Sequence, residues 1–177
     1  MIRETKFEDC FQIDLPFSED IRGNFLKTYH FSTFSDLGLE FQCKEEFVTT
    51  STQNVIRGMH FQTPPHDHKK LVYCLAGRVR DVVLDIRKNS ATYGQFEVFE
   101  LDANIPTGVY ISEGYAHGFL AMSDEATMLY RVSAEHAPSC DAGIRWDSFG
   151  YEWGVINPVV SDRDQSHISF DDFKSPF

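Results

Sequence analysis

Paired cysteines, long apolar runs and an excess of positive charge are all missing from this sequence, and each absence narrows the possibilities. The four cysteines, Cys10, Cys43, Cys74 and Cys140, are scattered with no CxxC spacing. They read as reduced thiols of a cytoplasmic protein, serving as small core hydrophobes. No apolar stretch approaches the roughly 20 residues needed to span a bilayer. The N-terminal Met1-Ile2-Arg3-Glu4 leads straight into polar chain with no secretory leader, so a soluble, unanchored protein is expected. Only 16 Lys and Arg stand against 27 Asp and Glu, for a formal net charge of −11. Long-range repulsion then opposes broad contact with nucleic acid or anionic membrane, and leaves room only for a local basic pocket. No P-loop, GxGxxG or GxSxG occurs, which disfavours nucleotide hydrolysis, dinucleotide redox chemistry and α/β-hydrolase chemistry.

What is present is the material of one β domain spanning 1–177. With 177 residues, 42% of them hydrophobic, and 16 phenylalanines, the chain can bury a sizeable core. Glycine, proline and polar clusters punctuate short runs rich in Val, Ile, Phe, Tyr and Thr. Strands are expected at Phe47–Ser51, Leu71–Leu75, Val79–Ile86, Phe96–Leu101, Val109–Ile111, Phe119–Met122 and Met128–Val132. A hairpin turn is expected at Leu75-Ala76-Gly77-Arg78. Asp81 and Asp85 lie four apart in one run, hence on one face, so one side of that strand should line something polar. Short helices are expected only at Phe31–Leu37 and Ser169–Phe173. The pattern suggests an all-β, double-stranded β-helix of the jelly-roll or cupin kind with a few short helices. An immunoglobulin-type sandwich is the structural rival.

Several clusters carry the means for chemistry. Arg57-Gly58-Met59-His60-Phe61-Gln62 places an arginine, suited to a phosphate, three residues from a histidine that can serve as a base. Such a histidine is also often a hydrogen-bonded structural residue. His66-Asp67-His68 would put two imidazoles on one strand face and, with His117, would make three metal ligands. Lys69 and Lys70 stand where such a site would want a carboxylate, which weighs for a solvated loop. Gly114-Tyr115-Ala116-His117-Gly118-Phe119 reads as a glycine-bounded turn aiming an imidazole into a cavity, or as a tight turn capped by a histidine. Ser161-Asp162-Arg163-Asp164 can supply a carboxylate that orients an imidazole, or can be a solvated turn.

The clusters Asp20-Ile21-Arg22-Gly23, Val55 through Gln62, Lys70-Leu71-Val72, Gly77 through Val82, Asp85-Ile86-Arg87, Ser90 through Gly94 and Gly114 through Phe119 stand in one order. Tyr130, Ala137-Pro138, Ile144-Arg145-Trp146-Asp147 and Ser161 through Asp164 continue the series. In this order they resemble the dTDP-4-dehydrorhamnose 3,5-epimerase family over roughly residues 15–165. The resemblance implies a cupin-type barrel, usually a homodimer, with no metal or other cofactor. The implied substrate is a nucleoside-diphosphate 4-keto-6-deoxy sugar, without nucleic-acid or membrane partners. By position, it implies His60 as base, Asp164 as its paired carboxylate, Tyr130 as the acid on the opposite sugar face and Lys70 as the cation near the C4 oxygen. Arg22 and Arg57 match phosphate-binding arginines. Phe25, Glu45, Phe47, Gln62, Asp81 and His117 fall at substrate-contacting positions.

That set suits the reaction. A carbon beside a ketone loses its proton only if the enolate is stabilised, and a preorganised cation at the oxygen does so. Inversion then requires reprotonation from the other face, hence one group on each side of the ring. The chain departs from the family pattern at Glu45-Glu46-Phe47 and at Glu135-His136, which bear on recognition of the nucleotide base and the sugar. Three other readings remain: a metal-dependent cupin using His66, His68 and His117, a sugar-nucleotide-binding relative without turnover, and a sugar-nucleotide 3,4-ketoisomerase of similar fold.

Overall fold

The computed structural model describes residues 2–39 and 41–177. The chain opens with β1 (Ile2–Glu4), β2 (Cys10–Asp14), β3 (Phe17–Asp20), β4 (Gly23–Leu26) and the short helix α1 (Phe31–Asp36). There follow β5 (Glu45–Thr52), β6 (Ile56–Gln62), β7 (Lys70–Ala76), β8 (Arg78–Asp85) and β9 (Phe96–Asp102). The last strands are β10 (Thr107–Ile111), β11 (Tyr115–Ala121), β12 (Glu125–Val132) and β13 (Asp141–Gly143). A helical turn α2 (Asp162–Gln165) and a 3-10 turn at Phe170–Asp172 complete the chain.

A six-stranded antiparallel sheet, in the order β1-β2-β10-β7-β12-β5, packs against a five-stranded one in the order β13-β6-β11-β8-β9. From β5 to β8, and again from β10 to β13, successive strands alternate between the two sheets. This is the double-stranded β-helix that the strand spacing suggested. It also corrects one expectation. Leu75–Arg78 is no hairpin, because β7 pairs with β10 and β12 while β8 pairs with β11 and β9. The chain turns a corner between sheets at Gly77, whose φ is +71°, and a Cβ there would lie 2.1 Å from the Glu125 carbonyl oxygen.

Alternation along each strand sorts side chains into three apolar layers. Val72 and Cys74 of β7, Val79 and Val83 of β8, and Ala126, Met128 and Tyr130 of β12 face the space between the sheets. Leu71, Tyr73 and Leu129 point the other way, where α1 and the chain after it cover them with Phe34, Leu39 and Phe41. Val82, Leu84 and Ile86 lie beneath Phe149 and Trp153, with Phe170, Phe173 and Phe177 of the C-terminal segment packed on the same layer. Both faces of β7 and β8 are thus buried, which explains their nearly unbroken apolar runs. Full burial of each such side chain contributes roughly 1.5–3 kcal/mol relative to exposure. Of the polar pair on β8, Asp81 faces inward, whereas Asp85 is closed off by Arg87, Ser90 and Thr92.

Candidate active site

Between the sheets lies a cavity of about 240 Å³. One wall is the five-stranded sheet, which presents Arg57, His60 and His117. The opposite wall presents Glu45 and Phe47 from β5, Lys70 from β7 and Tyr130 from β12. Side chains three apart on a regular strand point to opposite faces, so Arg57 and His60 should not share a cavity. They do so because the β6–β11 register shifts between His117 and Phe119. Gly58 (φ +147°) and Gly118 let the two backbones meet at this point, and a Cβ on Gly58 would lie 2.6 Å from the Gly118 Cα.

His60 Nε2 lies 2.8 Å from Asp164 Oδ1. The second carboxylate oxygen accepts the Gly58 N–H at 3.1 Å, and Ser161 Oγ caps α2 by accepting the Asp164 N–H. Burial alone would raise the Asp164 carboxyl. The imidazoles of His167 and His60 and the Gly58 amide outweigh it and hold the group well below the usual carboxylate range. Burial pushes the His60 imidazole below its ordinary value, against the pull of Asp164. A neutral ring with its N–H on Nε2, donating to Asp164, keeps its lone pair on Nδ1, the form a general base needs.

A second imidazole–carboxylate pair stands beside the first. His117 is the cross-strand neighbour of His60, and its Nε2 lies 2.7 Å from Asp81 Oδ2, both side chains being buried. The rings of His117 and Tyr130 meet across the cavity at 6.1 Å between centroids. Tyr130 stacks on Phe47 at 4.8 Å. Burial and the Asp81 carboxylate push its phenol well above the ordinary value, so it stays protonated. Lys70 Nζ donates to the His60 carbonyl at 2.8 Å, and burial pushes its ammonium down to about 8, with Asp81 and Asp141 opposing. Arg57 sits at the rim, donating through Nε to Ser51 Oγ at 3.0 Å.

Other expected residues are placed differently. The Gln62 amide is spent within the protein, donating to the His66 carbonyl at 2.7 Å and to His68 Nδ1 at 2.9 Å, and accepting the Ala137 N–H at 2.7 Å. His68 can accept because burial and Lys70 push it down to about 3. Arg22 and Phe25 stand on the exposed β3–β4 hairpin, outside the cavity lining of this chain, and Arg22 pairs with Asp20. Gly114–Phe119 is not a turn: His117 lies within β11, and only Gly114 turns. His66 and His68 lie in a loop, not on a strand, and the exposed His66 does not reach the cavity. The trio His66, His68 and His117 is therefore not assembled.

The sequence matches the dTDP-4-dehydrorhamnose 3,5-epimerase family over residues 4–172. The chain belongs to this family. It is 34% identical over 172 residues to the dTDP-4-dehydrorhamnose 3,5-epimerase of Shigella flexneri, covering 96% of this chain and 95% of that one. It is 36% identical over 170 residues to the dTDP-4-dehydrorhamnose 3-epimerase of Streptomyces niveus, covering 94% and 82%. The crystal structure of a 3,5-epimerase from Legionella pneumophila with dTDP-4-keto-L-rhamnose superposes with a TM-score of 0.93 at 26% identity, covering 98% and 94%. Within this epimerase-family chain, the two segments that depart from the family pattern meet at the cavity mouth. Glu45 Oε2 accepts the His136 N–H at 2.7 Å, and Asp141 lies between His136 Nε2 at 3.3 Å and Arg163 at 2.8 Å. Asp141, Arg163 and His167 were missed by sequence reasoning. For His167 a signal existed, its place three residues after Asp164, which brings its Nε2 to 3.6 Å from Asp164 Oδ1.

Proposed function

We propose that this chain epimerises C3, C5 or both of a nucleoside-diphosphate 4-keto-6-deoxy sugar of the dTDP-4-dehydro-6-deoxyglucose type. The observation that carries the reading is the placement of His60, backed by Asp164, on one wall and of protonated Tyr130 on the other, with the Lys70 ammonium in the same cavity. His60 Nδ1 takes the proton from the carbon beside the C4 ketone. The electron pair moves into the C4 oxygen, where Lys70 stabilises the enolate. Tyr130 returns a proton from the opposite face, which inverts the carbon. Arg57 at the rim meets the diphosphate, so a local cation serves an anionic substrate on an acidic protein.

The working form is a cytoplasmic homodimer. The β3–β4 hairpin joins neither sheet, and it exposes Phe17, Ile21 and Phe25 beside Arg22. An apolar hairpin of this kind suits contact with a second copy, where Arg22 and Phe25 would complete the partner's substrate contacts. Among the described residues no helix is long and apolar enough to cross a membrane.

The test is incubation in D₂O with dTDP-, CDP- and GDP-linked 4-keto-6-deoxyhexoses, reading deuterium at C3 and C5. Exchange at C3 with at least one nucleotide is expected. Tight binding of one sugar nucleotide without deuterium at either carbon would overturn the epimerase reading and favour a binding protein.

A further inference from the structure

His167 meets no substrate in the reaction just described and only helps hold the Asp164 charge, yet its Nε2 is fully buried with no partner at hydrogen-bond distance. The 3.6 Å to Asp164 Oδ1 is too long for a hydrogen bond. Native structures rarely leave such an atom alone, and each case calls for an explanation. The ring is fixed in place, since it packs on Gly143, where a Cβ would come within 2.4 Å of Nε2. It stands edge-on to His60, with centroids 5.8 Å apart and planes at 75°. One donor atom each from His60, Asp164 and His167 lies within 4.8 Å of the others.

We propose that His60, Asp164 and His167 form an inhibitory site for Zn²⁺, bound reversibly and not as a resident cofactor. Two imidazoles and one carboxylate converging from different directions are a donor set that suits zinc, with a fourth position left for water. Magnesium and calcium, which prefer oxygen donors alone, are poorly served. Asp164 is already oriented by the Gly58 N–H on its other oxygen, the outer support that metal-binding carboxylates normally require. His60 lines the cavity, so the three donors lie directly behind its wall. Lys70 and Arg163 also line that cavity and repel a cation, which keeps the site weak.

Occupancy stops the base, so this inference rests on His60 acting as proposed. In the working tautomer the ring proton sits on Nε2 and the lone pair on Nδ1. Zinc takes the Nε2 position, so the single ring proton moves to Nδ1 and none is released. Nδ1 then has no lone pair for the substrate proton, and Asp164 exchanges its bond to the imidazole for one to the metal.

The experiment titrates chelator-treated protein with ZnSO₄ by calorimetry and with CoCl₂ by visible absorption, and follows solvent deuterium exchange into the sugar nucleotide at each occupancy. Expected are one equivalent bound, Co²⁺ bands of a low-symmetry nitrogen and oxygen site, and exchange that falls with occupancy and returns on adding chelator. His167→Asn and His167→Phe should each weaken Zn²⁺ by at least about tenfold, with folding checked by circular dichroism. Absence of stoichiometric binding, or binding untouched in a folded His167 variant, would overturn the site. Binding that depends on His167 but leaves exchange at full rate would overturn the inhibition. If no sugar nucleotide exchanges even without metal, the epimerase reading fails, while calorimetry and Co²⁺ absorption still decide whether the site exists.

Discussion

Replacing Lys70 by methionine separates what the ammonium does for the reaction from what it costs the fold. Burial lowers this group from 10.5 to about 8, a shift worth about 3 kcal/mol against the charged, folded form near neutral pH. The sign follows from proton counting. Between the two values the unfolded chain binds more protons than the folded one, so stability rises with pH across that window. Below it the whole penalty applies. Urea unfolding of wild type and Lys70→Met at pH values from about 7 to about 10.5 should therefore show the wild type gaining about 3 kcal/mol on the variant. Differences at a single pH also contain the lost hydrogen bond to the His60 carbonyl, whereas the trend with pH isolates the titration. Activity should move the other way. The alkaline limb of kcat/KM should fall near pH 8 as Lys70 loses its proton, and Lys70→Met should lose about 10²–10³ in turnover, as when an oxyanion partner is removed. Parallel stability curves for the two proteins would refute the claim that Lys70 is a desolvated cation, and turnover within tenfold of wild type would refute its role at the enolate.

His60→Asn should lower deuterium exchange by at least about 10², and Tyr130→Phe should block inversion more than exchange, so equal suppression of both by Tyr130→Phe would count against an opposite-face acid. Arg57→Ala should chiefly raise KM for the sugar nucleotide, read from initial rates, because the proposed diphosphate contact would be the same before and during proton transfer. Gly58→Ala should cost about 2–3 kcal/mol by chemical denaturation, since it forces a side chain to φ +147° and against the Gly118 backbone, and it should lower activity by moving the amide that holds Asp164. Prolonged chelation should leave kcat undiminished, because the proposed enolate partner is the Lys70 ammonium; activity lost on chelation and restored by metal would favour a metal-dependent reading.

The strands with unbroken β-branched and aromatic runs were legible because both their faces are buried, as in β7, β8 and β12. β6 was harder to see, since glycine and polar residues interrupt it where it lines the cavity. Glycine misled the reading of Gly114–Phe119. Gly118 serves a close approach of two strands, and sequence does not distinguish that use from a turn. The corner at Gly77 misled in the same way, since a turn residue does not say which strands will pair. His60, Lys70, Tyr130 and Asp164, which the fold gathers at one cavity, were singled out only by ordered motifs that span more than a hundred residues, a separation no local pattern can bridge. Arg57 and His60 come to one cavity only through a register shift with a partner strand, and His167 matters only because Asp164 is folded beside it.

The proposed base and acid stand on different sheets, with His60 on the five-stranded one and Tyr130 on the six-stranded one. The distance across which a proton must be handed to the far side of the sugar is therefore set by Val72, Val83, Phe119 and Met128, the filling between the sheets. If that filling loosens, the enolate outlives its alignment with the phenol and takes its proton back from the side that lost it. The chain would then wash label into the sugar without turning it over, a futile cycle that an assay of proton removal alone does not tell from inversion. Selection for a clean configuration thus reaches residues that never meet the substrate, and the ratio of exchange to inversion becomes a gauge of how tightly the barrel is packed.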